Sequence, residues 1–179
     1  MAQDDPSTWD FSRLDKILDK IISTPKYEVL VGWPSEKTGP KIHEPDPRRP
    51  GKQKSEINLA TLAAIHDLGL GHMPERPFLR QSIENRRDQY SKTLGAELKK
   101  AYAAPDNGYG PVLKAYGKVG AMAKAAVAIE VGNPDPPFKE LAEETIERRI
   151  GKSTRPLSDT GQLKNSAEWV VRKAGETRK

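Results

Sequence analysis

The chain has 179 residues, of which 35% are hydrophobic and 31% are charged, with 15 prolines and no cysteine. Disulfide bonds and thiol chemistry are therefore excluded, and no apolar run reaches the roughly 18 residues that a membrane-spanning helix needs. We expect a soluble protein with a single domain over residues 1–179 and a core so lean that partners complete the structure.

The charge is distributed unevenly along the chain. Residues 1–24 carry five acidic and three basic side chains, whereas residues 148–179 carry nine basic and three acidic ones. The first ten residues, MAQDDPSTWD, lack the apolar region of a signal peptide. A basic C-terminal region can bind nucleic acid, and it can equally bind an acidic surface on a neighbouring copy of the same chain.

The first third of the chain predicts a helix, a strand and a long loop. Apolar residues at helical spacing predict an N-terminal helix over 10–23, which ends before Pro25. The alternating stretch YEVLVGWP predicts a strand at about 27–34. Residues 35–57 hold four prolines and ten charged residues, and we expect an extended loop without a helix or strand.

The remainder predicts four helices and a closing strand. Asn58 and Gly69 bound a short helix, and the turn-rich connector LGHMPERPF leads to a long polar helix over about 79–104. Two further helices are expected over 112–131, rich in Ala and Gly, and over 138–150. A strand at about 167–172 completes an α+β, helix-rich fold, in which the early and the C-terminal strand form a small sheet.

The motif Asp159-Thr160-Gly161 allows two interpretations. Asp-Thr-Gly is the signature of aspartic proteases, which place two carboxylates in a cleft of an almost all-β fold. Here the flanking residues are polar and the chain is mostly helical. Asp159 is also three residues before Gln162, the spacing of a capping box at the start of a helical turn. The cap accounts for more residues, and the protease remains the enzyme alternative.

Other candidates for chemistry lie around the connector. His66 and His72, with Asp67 and Glu75 nearby, are spaced unlike usual metal ligands. The glycines of DLGLGH follow a helix instead of a strand, so they are not a dinucleotide fingerprint. We therefore predict no catalytic, cofactor or metal site.

Three motifs occur in a characteristic order: AAIHDLG (63–69), MPERPFLR (73–80) and RPLSDTGQLKNSAEWVV (155–171). With the strand YEVLVGWP, this series resembles the virion-morphogenesis and tail-completion proteins of tailed double-stranded DNA phages, including Mu-like prophages. The resemblance covers about residues 27–172. The chain departs from the pattern at Leu68, where an aromatic residue is common, and in the Pro-rich insertion at 35–57.

The resemblance implies a structural protein of the phage neck, which joins the capsid to the tail and has no enzymatic activity. It implies a ring, by tail symmetry a hexamer, between portal-side and tail-tube proteins, assembled in the host cytoplasm and carried in the virion. The layer stays open among tail completion, tail terminator and head closure. Its motif residues here are Asp159, Gln162, Pro74, Arg76, Pro77 and Phe78.

A nucleic-acid-binding protein is the alternative from another class. Basic residues on the long helix and the last strand are its candidates, and in a ring they would face passing DNA without reading its sequence. No recognition motif and few interleaved aromatic residues accompany them. These candidates are Arg86, Arg87, Lys99, Lys100, Arg172 and Lys173.

Overall fold

The computed structural model describes residues 12–33, 41–43, 55–104, 108–133, 138–149, 154–157 and 161–176. Seven helices and four strands lie within these ranges. In chain order they are α1 (Ser12–Ser23), β1 (Tyr27–Gly32), β2 (Lys41–His43), β3 (Ser55–Ile57), α2 (Leu59–Leu68), α3 (Phe78–Glu84), α4 (Arg87–Ala103), α5 (Gly110–Val131), α6 (Glu143–Arg148), α7 (Gln162–Asn165) and β4 (Glu168–Lys173).

The predicted small sheet forms from the early and the C-terminal strand, and the α+β class is confirmed. β1 pairs with β4 in antiparallel register, from Tyr27 opposite Lys173 to Gly32 opposite Glu168. The backbone N–H of Ala174 adds a hydrogen bond to the carbonyl of Lys26, at 2.8 Å. The sheet thus joins two segments that are more than half the chain apart in sequence.

Helix α5 packs against this sheet through small residues. The Trp169 ring lies over Gly120, where an added Cβ would come within 2.6 Å of the ring, and over Gly117, where it would come within 3.1 Å. Small side chains allow such close approach of a helix to a strand. The main core continues from α5 into α2, α3 and the C-terminal segment, and its buried members are Trp33, Leu59, Ala63, Phe78, Val127, Val131, Leu157, Leu163 and Ala167.

The predicted long helix is interrupted, so that expectation was wrong in one respect. Helix α3 ends at Glu84 and α4 begins at Arg87, with Arg86 at φ −119° and ψ 11° between them. The Arg86 guanidinium donates to Glu130 of α5 at 3.1 Å, and the Tyr90 hydroxyl donates to the Ser82 carbonyl at 3.3 Å. These tertiary contacts hold the bend, although no glycine or proline marks it.

The loop over 35–57 was predicted to have no regular structure, and this was wrong for two short stretches. β2 and β3 pair as an antiparallel ladder, from Lys41 opposite Ile57 to His43 opposite Ser55. The remaining residues of that loop lie outside the described ranges.

The helix expected over 138–150 is shorter in the structure and spans only Glu143–Arg148. The preceding residues take another course because Phe138, partly buried, packs against the main core. The short helix α2 is confirmed: the Asn58 side chain accepts from the Ala60 N–H, and Gly69 caps the other end at φ 65°.

Candidate assembly surface

The connector between α2 and α3 is held by a buried carboxylate. Asp67, 5% exposed, accepts from the Leu79 N–H at 2.8 Å and from Arg80 Nε at 3.1 Å. It therefore satisfies one of the first N–H groups of α3, which a helix leaves without an internal partner. Arg80 also pairs with Glu75, and these two acceptors raise the pKa of its guanidinium, the Glu75 bond contributing most.

Phe78 of the Pro-x-Arg-Pro-Phe motif is a core residue. Its side chain is fully buried, and its ring meets Trp33 edge-on, with 5.8 Å between centroids and 70° between planes. The Trp33 indole N–H donates to the Leu163 carbonyl at 2.9 Å. One aromatic pair therefore connects the end of the strand YEVLVGWP with two of the three ordered motifs, the connector MPERPFLR and the C-terminal motif before β4.

Arg76 of the same motif is also buried, which its residue type did not predict. Only 2% of it is exposed, and its Nη2 lies 3.4 Å from the Lys139 carbonyl oxygen. Desolvation, and then the nearby Arg149 cation, lower the pKa of this guanidinium.

The C-terminal motif is described only in part. Asp159 lies outside the described residues. Gly161, at φ 72°, occupies the N-cap position of α7, and Gln162 is its first helical residue. The N-cap is thus two residues later than the predicted Asp159, and its left-handed conformation is one that glycine adopts readily. Leu157, near the start of the motif, is buried in the main core.

The predicted basic residues do not converge on one surface patch free of acids. Arg86 pairs with Glu130 at 3.1 Å, Lys100 with Glu97 at 3.1 Å, and Arg172 with Glu28 at 2.5 Å. Arg87, Lys99 and Lys173 are exposed. Half of the candidate DNA-facing cations therefore already have carboxylate partners within the chain.

Helix α1 presents four of its five large apolar side chains to solvent, and the fifth, Ile17, is partly buried. The contacts of α1 with the body run along another flank: buried Lys20 donates to the Ala101 carbonyl at 3.0 Å, and the Ser23 carbonyl accepts from the Tyr109 hydroxyl at 2.8 Å. The outward side chains are 44 to 80% exposed and we call them the α1 face: Leu14, Leu18, Ile21 and Ile22.

Sequence periodicity found the amphipathic pattern of α1, but not the direction in which it points. The helical periodicity of apolar residues shows only that they share one side of a helix, and it does not show whether that side faces the core or the solvent. The burial of Lys20 and Arg76 was missed as well, since both residue types are usually exposed. The small residues of α5, in contrast, did signal close packing.

Two other kinds of feature, a metal-ion cluster and a membrane-spanning helix, are absent from the described ranges. These ranges contain no group of three or more His, Asp or Glu side chains placed to hold a metal ion. In the same part of the chain, none of the helices is long and apolar enough to cross a membrane. Asp67 and Glu75, the acids nearest the candidate histidines, instead bind Arg80.

Comparisons with family models, with curated proteins and with solved structures gave no match for this chain.

Proposed function

We propose that this chain is a structural protein of a tailed-phage neck that completes the tail or connects it to the head. Identical subunits form a closed ring, in the proposed assembly a hexamer, through which DNA passes. The ring acts without enzymatic activity, in contact with portal-side and tail-tube proteins. Tail terminator and head closure are the alternative layers for the same ring.

The observation that carries this proposal is the α1 face. Four large apolar side chains on one helix are left in water by the monomer, at exposures of 44 to 80%. Single exposed apolar residues are ordinary, but several on one helical side are typical of a protein–protein contact. Their burial against another subunit would be stabilising by about 25 cal/mol per Å² of apolar surface.

The charge distribution supports a contact between unlike surfaces. The N-terminal 24 residues are net acidic and the C-terminal 32 are net basic. A ring is built by head-to-tail contacts, in which each subunit uses two different complementary surfaces. A contact of this kind weakens partly, not fully, as salt rises above about 0.15 M, since its apolar component is unscreened.

The sequence motifs add support of another kind. Their side chains serve the architecture: Phe78 and Trp33 form the core joint, and Asp67 holds the start of α3. Asp67 and Glu75, two of the residues that the sequence offered as candidates for chemistry, thus have structural contacts that account for them. This is consistent with the structural role that the resemblance implies.

The test has two parts, one on the free protein in solution and one on the phage particle. Native mass spectrometry and light scattering should show a closed ring for the wild-type chain, and monomers for the double variant Leu18→Ser, Ile22→Ser. The matched control is Ile129→Ser on α5, which changes a side chain that is 60% exposed but lies outside the α1 face.

A particle reconstruction should then locate the chain between portal and tail tube. Finding it absent from virions, or only as a DNA-bound monomer, would overturn the proposal in favour of nucleic-acid binding. A ring that persists in the double variant would show that the α1 face is not the subunit contact.

A further inference from the structure

Two arginines near the connector are treated in opposite ways by the fold. Arg80 has a half-exposed side chain and binds two carboxylates, those of Asp67 and Glu75. Arg76 is 2% exposed, and within the described part of the chain no carboxylate pairs with it. Asp67 and Glu75 therefore pair with the more exposed Arg80, while the buried Arg76 has no carboxylate partner among the described residues.

The Arg76 guanidinium is left with buried, unpaired donors. Its Nε and Nη1 atoms are inaccessible and make no hydrogen bond to any described residue, and Nη2 has only the long contact of 3.4 Å to Lys139. Each of the two unpaired nitrogens shares a planar fork with Nη2. Such forks match the two oxygens of a carboxylate.

The backbone holds this side chain in place. The Arg76 N–H donates to the His66 carbonyl at 2.8 Å, and the Arg76 carbonyl accepts from the Phe78 N–H at 2.7 Å. A guanidinium remains charged in a protein, so its burial is costly unless an opposite charge accompanies it. Arg149, whose charge lowers the pKa of Arg76, adds to the positive potential instead of cancelling it.

We propose that Arg76, in the positive potential of Arg149, is the anchor of a binding site for one carboxylate anion. The Lys139 carbonyl contacts the guanidinium at one side, and Lys139 lies in residues 139–142, which form neither helix nor strand. Displacement of this short segment admits the anion. The site goes beyond the proposed function, because it would exist in the single chain whether or not rings form.

A carboxylate fits this site better than a DNA phosphate does. Binding along a nucleic-acid backbone requires several accessible cations in a row. Arg76 instead supplies a single buried guanidinium. The carboxylate comes either from a free small acid or from an Asp or Glu side chain. Formate and an amidated Gly-Asp-Gly peptide represent these two sources.

The experiment measures thermal unfolding of the full chain in sodium formate against sodium chloride at equal ionic strength. Formate should raise the Tm of the wild type more than chloride does. Arg76→Met, which keeps the volume but removes charge and fork, should fold with unchanged or higher Tm and should bind formate about tenfold more weakly or worse. Arg87→Met, at an exposed basic residue of α4, should respond as the wild type does.

Two further arms keep the result decisive if Arg76→Met fails to fold. Arg76→Lys keeps the charge and loses the fork, so it should lose most of the formate response. Carbon-13 formate NMR should show line broadening with the wild type and with Arg87→Met, and little with Arg76→Lys. A response to the peptide as well as to formate assigns side-chain carboxylates as ligands. The proposal is overturned by equal formate and chloride responses in the wild type, by a full response in Arg76→Met, or by a response to inorganic phosphate alone.

Discussion

Helices α1 and α5 use their apolar residues in opposite directions. In α5, eight of 22 residues are buried, and they include Gly120, over which the Trp169 ring of β4 lies. In α1, the one buried residue of twelve is Lys20, while the four side chains of the α1 face are exposed to solvent. α5 therefore organises the subunit, and α1 offers a surface that another molecule can cover.

The difference lies in size as well as direction. Small side chains on α5 allow the Trp169 ring to approach the helix closely, and this contact stabilises packing within one chain. Large side chains on α1 would each bury considerable area if a second surface met them. The following predictions test this contrast, in order of decreasing effect.

Phe78→Ala should have the largest effect on stability. Phe78 is fully buried and packs in the core that contains Val127 and Val131 of α5. Truncation of such a residue costs about 3–5 kcal/mol of unfolding free energy. Urea unfolding measures this loss, with Leu70→Ala as control, because Leu70 is 50% exposed. Similar small losses in both variants would contradict the assigned core.

Gly120→Ala and Gly95→Ala should differ, although both place alanine within a helix. The added methyl group meets the Trp169 ring at Gly120 and nothing within 4 Å at Gly95. Both variants gain the same helix propensity, so this gain cancels when their unfolding free energies are compared. The remaining difference is the strain of the new methyl group against Trp169, about 1–3 kcal/mol. Thermal or urea unfolding of the pair measures it. Equal stability would show that α5 and β4 are not in close contact.

The α1 variants should change the stability of the monomer little while changing assembly strongly. In Leu18→Ser, Ile22→Ser, the replaced side chains are 45% and 80% exposed, so each should shift the unfolding free energy of the monomer by about 0.5 kcal/mol or less. Unfolding at a concentration below assembly measures this term separately from ring formation. A large loss in the monomer would place α1 in the core instead.

The smallest effect concerns acid. Glu97 of α4 accepts from Lys118 of α5 and from Lys100, and these bonds lower its pKa below the ordinary 4.5, Lys118 contributing most. A lowered folded-state pKa stabilises the fold above the unfolded-state value, and this contribution is lost as pH falls through the folded-state value.

The Tm difference between wild type and Glu97→Gln should therefore be present at neutral pH and vanish in acid. Glu84→Gln, at an exposed residue on α3, serves as the control. A difference that does not depend on pH would contradict the ion pair between α4 and α5.

Local signals predicted the local parts of this structure. Asn58 and Gly69 marked the ends of α2, because caps act within a few residues. The bend at Arg86 was not predictable in the same way, since Glu130 of α5 binds Arg86 from elsewhere in the fold. The hairpin of β2 and β3 was hidden by the prolines and charges between its strands.

The candidate surface was predictable only in its composition. Periodicity identified the apolar residues of α1, but their exposure depends on how α1 meets α4, which involves the unusual burial of Lys20. The absence of a carboxylate partner for Arg76 likewise depends on the fold, because the two nearby carboxylates, Asp67 and Glu75, both pair with Arg80. Such competition between neighbours is a property of the folded chain and leaves no pattern in the sequence.

The antiparallel pairing of β1 with β4 has a mechanical consequence. Tyr27 is opposite Lys173, and Ala174 is bonded to Lys26, so the chain enters and leaves the sheet at the same end. Pulling on the segments before β1 and after β4 would load the hydrogen bonds between the two strands one after another, starting at the Tyr27–Lys173 end. The bonds would therefore break in sequence and would not share the load. Tension between the two termini is thus the direction in which this sheet resists least.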